Sequence, residues 1–310
     1  MTFFDLESHP DIISFHWNKL KPILTKRIED SSLNRYLKKF IVDNLEDIIC
    51  SKPNELKRIN TNFKRHKYYK NSLKGKVKAI FDYNSFVTKK ESKGGYDGYD
   101  LAEKLGIRTC LYCNRMFTVT IKKSKLKKDK ITRPQFDHFI DKGKNPLLGL
   151  SIYNLVPSCN ICNSTLKGRK EFTLNSYIHP YEDNCLDDYT YKFIPYDTDS
   201  ILGNSSRLEV EIEIKNLNSS IGKKIKKSID VFKLNEIMSG HSEELKDLFE
   251  IRYRFSERYF LELFNTYKTL GLDRKDIYRV VFGAEYLEKD FGKRPFSKLK
   301  KDILKELNII

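Results

Sequence analysis

Thr109-Cys110-Leu111-Tyr112-Cys113-Asn114, then Phe136-Asp137-His138-Phe139-Ile140, then Asn154-Leu155-Val156-Pro157-Ser158-Cys159-Asn160-Ile161-Cys162-Asn163, decide how this chain reads. Four of its six cysteines form two Cys-x-x-C pairs, a spacing that composition alone does not produce. The N-terminus is acidic and lacks the basic and apolar regions of a leader peptide, so a cytosolic chain is expected. Structural disulfides are rare there. Four thiolates, from Cys110, Cys113, Cys159 and Cys162, suit tetrahedral zinc and close its shell. A thioredoxin-like redox pair is the weaker reading. Cys50 and Cys185 stand apart and read as buried or incidental thiols.

The 45 residues between Cys113 and Cys159 exceed a simple zinc ribbon, so something is inserted between the knuckles. Phe117-Thr118-Val119-Thr120-Ile121 is β-branched and predicts a strand, as does Gln135–Ile140. Lys122–Lys130, with six lysines, would join them as a hairpin with a basic tip. Leu147–Val156 is a second apolar stretch, and Ser158 is a suitable cap for a short helix beginning there or at Cys159.

Outward from this unit the pattern becomes helical. Leu33, Leu37, Phe40, Ile41, Leu45, Ile48 and Ile49 predict a helix over 31–50, capped by Ser31 or Ser32 and ended by Pro53. Residues 54–90 read as further helix, 93–98 as a turn-rich break, and Asp100–Leu105 as a short helix closed by Gly106. Downstream, Leu208, Val210, Ile212 and Ile214 alternate with charged residues, a half-buried strand. An apolar stripe from Leu245 to Leu270, closed by Gly271, predicts a C-terminal helix whose aromatic residues form core. The expected class is α+β: a helical region over 1–98, a zinc-braced unit over 99–180, and a strand connector with helical C-terminal region over 181–310.

Charge follows the same partition. The chain carries 58 Lys plus Arg against 42 Asp plus Glu, a net +16. Residues 1–105 contribute +7, residues 106–170 contribute +11, and residues 171–310 contribute −2. Clustered cations bind nucleic acid through counterion release, although a solvated lysine-rich face has the same composition. No apolar run approaches the roughly 18 residues of a membrane span.

Asp137-His138, then Asn154 16 residues later, then Asn163 nine further on, all inside the cysteine frame, resembles the HNH endonucleases and their ββα-metal fold. The resemblance implies that Asp137 binds a catalytic divalent ion and that His138 is the general base. It implies that Asn154 tethers the metal loop, and that Asn163, where the family often has His, is the second ligand. The implied ion is Mg²⁺, with Mn²⁺ able to replace it. The chemistry of the residue types agrees: a neutral imidazole can take a proton from water near pH 7, and oxygen ligands suit a hard ion. Lys142, Lys144, Lys167 and Arg169 stand where they could contact the nucleic-acid backbone, or be solvated charges.

The wider wording, from Tyr99-Asp100-Leu101-Ala102 to His179-Pro180-Tyr181-Glu182 and Phe232-Lys233-Leu234-Asn235, is similar to one HNH branch. That branch belongs to Septu-type anti-phage systems and some retron-associated defence operons. It implies an effector that cuts DNA beside an ABC- or SMC-like ATPase. RNA or tRNA cleavage on the same site is the alternative, as is a zinc-braced nucleic-acid-binding module without catalysis. A pure binder needs neither Asp137 nor His138 in this register. His179 reads as structural.

Overall fold

Pro10 occupies the first turn of helix α1 (Pro10–Asp30), where a missing backbone N–H is harmless, and Ile12, His16, Leu20, Leu24 and Ile28 form its buried side. This computed structural model describes residues 1–88, 95–123, 130–255 and 257–310. The helix expected over 31–50 is two, α2 (Arg35–Asp43) and α3 (Leu45–Cys50), broken at Asn44. The cap is Asn34, which accepts from the Tyr36 N–H at 2.9 Å, and neither serine serves. Pro53 ends α3 and opens α4 (Pro53–Arg65). The stretch read as continuous helix to residue 90 is instead α4, α5 (Lys74–Ile80) and α6 (Tyr83–Thr88), separated by turns. Residues 89–90, and residues 93–94 of the expected break, lie outside the described residues. Helix α7 (Gly98–Leu105) forms as its sequence dictates, with Asp97 and Asp100 as a capping box and Gly106 at φ +65° closing it.

Among the described residues three two-stranded antiparallel sheets follow: β1 (Ile121–Lys122) with β2 (Lys130–Thr132), β3 (Gln135–His138) with β4 (Leu155–Ser158), and β5 (Tyr189–Pro195) with β6 (Leu208–Ile214). The pairing of 117–121 with 135–140 does not occur. Phe117 makes only an isolated bridge to Thr109. Strand β3 buries Phe136, Asp137 and His138 and needs an equally buried partner, which all of β4 supplies, whereas Phe117 is 60% exposed. The expected hairpin tip, residues 124–129, lies outside the described residues.

The half-buried strand forms as β6, with Leu208, Val210 and Ile212 inward. It pairs with β5 and packs under α10 (Leu234–Ser239), α11 (Ser242–Arg254) and α9 (Ser220–Phe232), while α14 (Ser297–Glu306) covers β5. The C-terminal stripe is divided between α11 and α12 (Glu257–Thr269). Leu245, Leu248, Phe249 and Phe260 are buried, but Phe255, Tyr259 and Leu270 are exposed, so the stripe is only partly core. The described residues are thus mixed α+β. One contiguous cluster of buried side chains runs from Met1 to Ile309 and draws on all three stretches of the chain. No helix of the described residues is long and apolar enough to cross a membrane.

Candidate functional site

The two cysteine pairs meet. Cys110 and Cys113 lie in the turn before β1, and Cys159 and Cys162 lie where β4 passes into a π-helix over Ile161–Lys167. All four are buried, and their Sγ atoms lie within 4.8 Å of one another. Burial pushes the Cys110 thiol well above its ordinary range, while hydrogen bonds from its neighbours, Cys110 first, hold Cys113 well below. Four buried thiols so crowded are the donor set of a tetrahedral ion, and the cluster could hold a structural metal such as zinc. Asn114, next to the first pair at φ +50°, donates to Phe291 O (2.8 Å) and Arg294 O (3.2 Å) and accepts from Ser297 N (3.0 Å). The knuckle therefore also anchors the C-terminal segment.

In front of the cluster, β3 and β4 pair Asp137 with Val156 and His138 with Leu155. Successive side chains on a strand leave on opposite faces, and these two make separate contacts. His138 is buried, with Nε2 3.0 Å from Gly149 O. A carbonyl can only accept, so Nε2 carries the proton and Nδ1 carries the lone pair. The Lys142 Nζ donates to that Nδ1 at 3.3 Å. Burial first, then the Lys142 cation, push the imidazole down to about 3. Tyr83 from α6 sets its ring edge-on against the imidazole, 4.3 Å between centroids, and its hydroxyl donates to Phe136 O.

The loop between the strands is closed by Asn154. Its Oδ1 accepts from Ile140 N at 2.7 Å, and its Nδ2 donates to Ile140 O and Leu148 O, both at 3.0 Å. Gly149 lies so close to the end of α5 that a Cβ there would meet Phe81 O at 2.7 Å, which fixes the carbonyl that holds His138.

On the other face, Asp137 has both oxygens occupied. The Tyr112 hydroxyl donates to Oδ2 at 2.6 Å, and the Lys167 ammonium donates to Oδ1 at 2.6 Å and to His138 O at 2.7 Å. Asn163 donates its amide to Gln135 Oε1 at 2.8 Å, and it is Lys167, one turn further along the π-helix, that the helix brings against Asp137. So arranged, the residues do not fit the expected Mg²⁺. A cation of the protein's own already neutralises the carboxylate in a site too buried to admit a second. Lys167 is accordingly no surface contact. Of the other cations, Lys142 lies against His138, Lys144 is exposed and paired with Glu171 at 2.5 Å, and Arg169 is exposed. The flanks of the basic hairpin are also occupied: Lys122 pairs with Asp100 and Glu103, and Lys130 with Asp97. His179 is buried against Phe139, 4.4 Å between ring centroids, and burial pushes it down to about 3.

Sequence reasoning missed Tyr112, Tyr83 and Gly149. Tyr112 sits inside the first Cys-x-x-C, so the metal frame and Asp137 share a residue, and that adjacency was the available signal. Tyr83 comes from a distant helix and left none. No protein-family model, curated protein or solved structure matches the chain.

Proposed function

We propose that the chain is a nuclease of the HNH type that hydrolyses phosphodiester bonds in nucleic acid, with DNA as its substrate. The observation that carries the reading is the state of His138. It is a neutral imidazole with Nε2–H fixed by a backbone carbonyl, its lone pair on Nδ1 and a lysine ammonium beside that lone pair. It stands at the end of a strand in a β-loop-β-helix unit whose loop Asn154 closes. In this reading Nδ1 takes the proton of a water whose oxygen bonds to phosphorus as the leaving oxygen departs. Lys142 serves the phosphate oxygens. The phosphodiester's own charge beside Lys142 offsets the cation that helps hold the imidazole down, so its proton affinity rises when substrate arrives. Tyr112 ties the four-cysteine centre to Asp137, so a bound zinc would brace the site without touching substrate.

The defence setting implied by the resemblance makes the chain an effector that acts with an ATPase, and the exposed Leu261 and Leu270 leave apolar surface for such a partner. The test is cleavage of plasmid DNA and of tRNA by wild type and His138→Ala, with Mg²⁺ or EDTA, with and without the ATPase. DNA cutting lost in His138→Ala, with binding retained, is the expected result. Cutting that survives the substitution removes His138 as base. Binding without cutting under every condition leaves the zinc-braced binding module.

A further inference from the structure

The loop that holds His138 is flanked by cations from the N-terminal helices. On one side, a cavity of about 210 Å³ is lined by Lys78, Tyr83, Asn84, Asp141, Lys142 and Gly149, the last two being the residues hydrogen-bonded to His138. Lys142 lies over the Tyr83 ring at 4.5 Å. On the other side, a cavity of about 560 Å³ is lined by Lys64, Tyr69, Lys70, Asn71, Lys74 and Lys144, with no acidic residue among them. Helix α4 is fastened to the loop between them, since Asn60 and Lys64 donate to Asn145 Oδ1 at 2.8 and 2.7 Å.

Three of these lysines lack the partners that usually neutralise a charged face, while Lys144 pairs with Glu171. Lys70, Lys74 and Lys78 make no ion pair among the described residues, whereas Lys122 and Lys130 of the basic hairpin are paired. Facing acids are few: Asp141, whose Oδ1 accepts from Gly143 N, and Glu171, which pairs with Lys144. The crowding is felt, because burial and then the Lys74 charge hold Lys64 below its ordinary range. Lys74 and Lys78 lie one helical turn apart on α5, and Lys70 stands just before it, so the charges form a row and not a single pocket.

We infer that residues 64–78 of the N-terminal region form a binding track for the backbone of duplex DNA, running from the Lys64, Lys70, Lys74, Lys144 cavity past the loop to Lys78, Lys142 and His138. The inference rests on the nuclease reading for its direction toward His138. An extended polyanion is the ligand because cations, among them the unpaired Lys70, Lys74 and Lys78, continue through two openings that share one loop and end at the base. The N-terminal helices thereby carry substrate.

The test is fluorescence anisotropy on a labelled 25-base-pair duplex, using full-length His138→Ala protein so that the probe stays intact. Lys70→Ala/Lys74→Ala/Lys78→Ala should weaken binding at least tenfold and flatten the slope of log K against log salt by about 2.7, at about 0.9 per phosphate contact. The matching Lys→Arg triple should bind as the parent does. An unchanged slope in the alanine triple overturns the track, and so does an arginine triple that fails equally. Binding to single-stranded RNA of equal length but not to the duplex overturns the choice of DNA. The two readings fail separately. Cutting that depends on His138, with binding indifferent to the triple, sinks the track alone. Lysine-dependent binding without cutting by the wild type sinks the nuclease alone.

Discussion

Two buried ionic centres, joined through Tyr112, are built on opposite terms. Cys110, Cys113, Cys159 and Cys162 have one another as side-chain partners and call for a cation from outside. Asp137 has a cation of the chain's own in Lys167 and a second donor in Tyr112. The first centre could therefore take a structural metal, and the second already holds a cation of the chain. Apparent zinc binding to such sites is worth about 10–16 kcal/mol, as large as the whole stability of a typical domain. Cys162→Ser, or stripping with a strong chelator, should leave the chain unfolded or aggregated, with about one zinc per chain released. A chelated chain with unchanged circular dichroism and melting temperature would break the comparison at its first term.

The second term is tested at Lys167. Lys167→Met leaves the Asp137 charge buried and unpaired, which costs about 3–5 kcal/mol in denaturant unfolding. The double variant Asp137→Asn/Lys167→Met should recover most of it. Millimolar Mg²⁺ should leave the melting temperature of wild type unmoved and raise that of Lys167→Met, where the carboxylate is released. A wild type that Mg²⁺ stabilises strongly would mean that the ammonium yields to the ion, and the two centres would then be alike. Asn154→Ala should cost about 2–3 kcal/mol through the orphaned Ile140 and Leu148 groups. Cutting should fall with it while zinc content stays constant, because the loop belongs to the His138 side.

What was legible followed local rules. The cysteine spacing announced the thiol cluster, Gly106 announced the end of the helix expected from Asp100, and alternation announced β6. The partner of β3 was illegible because the β-branched run over 117–121 has the stronger local strand preference, whereas burial, a tertiary property, selects Leu155–Ser158. Asn163 was expected to share a metal ion with Asp137, but the helix is a π-helix, with Gly168 N bonded to Asn163 O, and it turns Lys167 inward instead. The cations of α5 carried no motif. Their meaning lies in the loop they face, which residue order does not reveal.

The smallest effect separates the histidines from both centres. His16 is buried between the Tyr96 hydroxyl (2.6 Å) and Leu150 O (2.8 Å), and burial pushes it down to about 4. The folded chain thus keeps it neutral where the unfolded chain, with an ordinary imidazole near 6.5, binds a proton. Its stabilising effect is present in full above about pH 6.5 and is lost as the pH falls toward the folded value, at up to ~1.4 kcal/mol per pH unit. Glutamine can accept from Tyr96 and donate to Leu150, so His16→Gln keeps both bonds and removes the titration. Between pH 6.5 and 5.5 the zinc-loaded variant should lose about 1 kcal/mol less than wild type in urea unfolding. Parallel curves would remove His16 as the source of acid sensitivity and leave it to the buried His138 and His179 and to protonation of the cysteine centre.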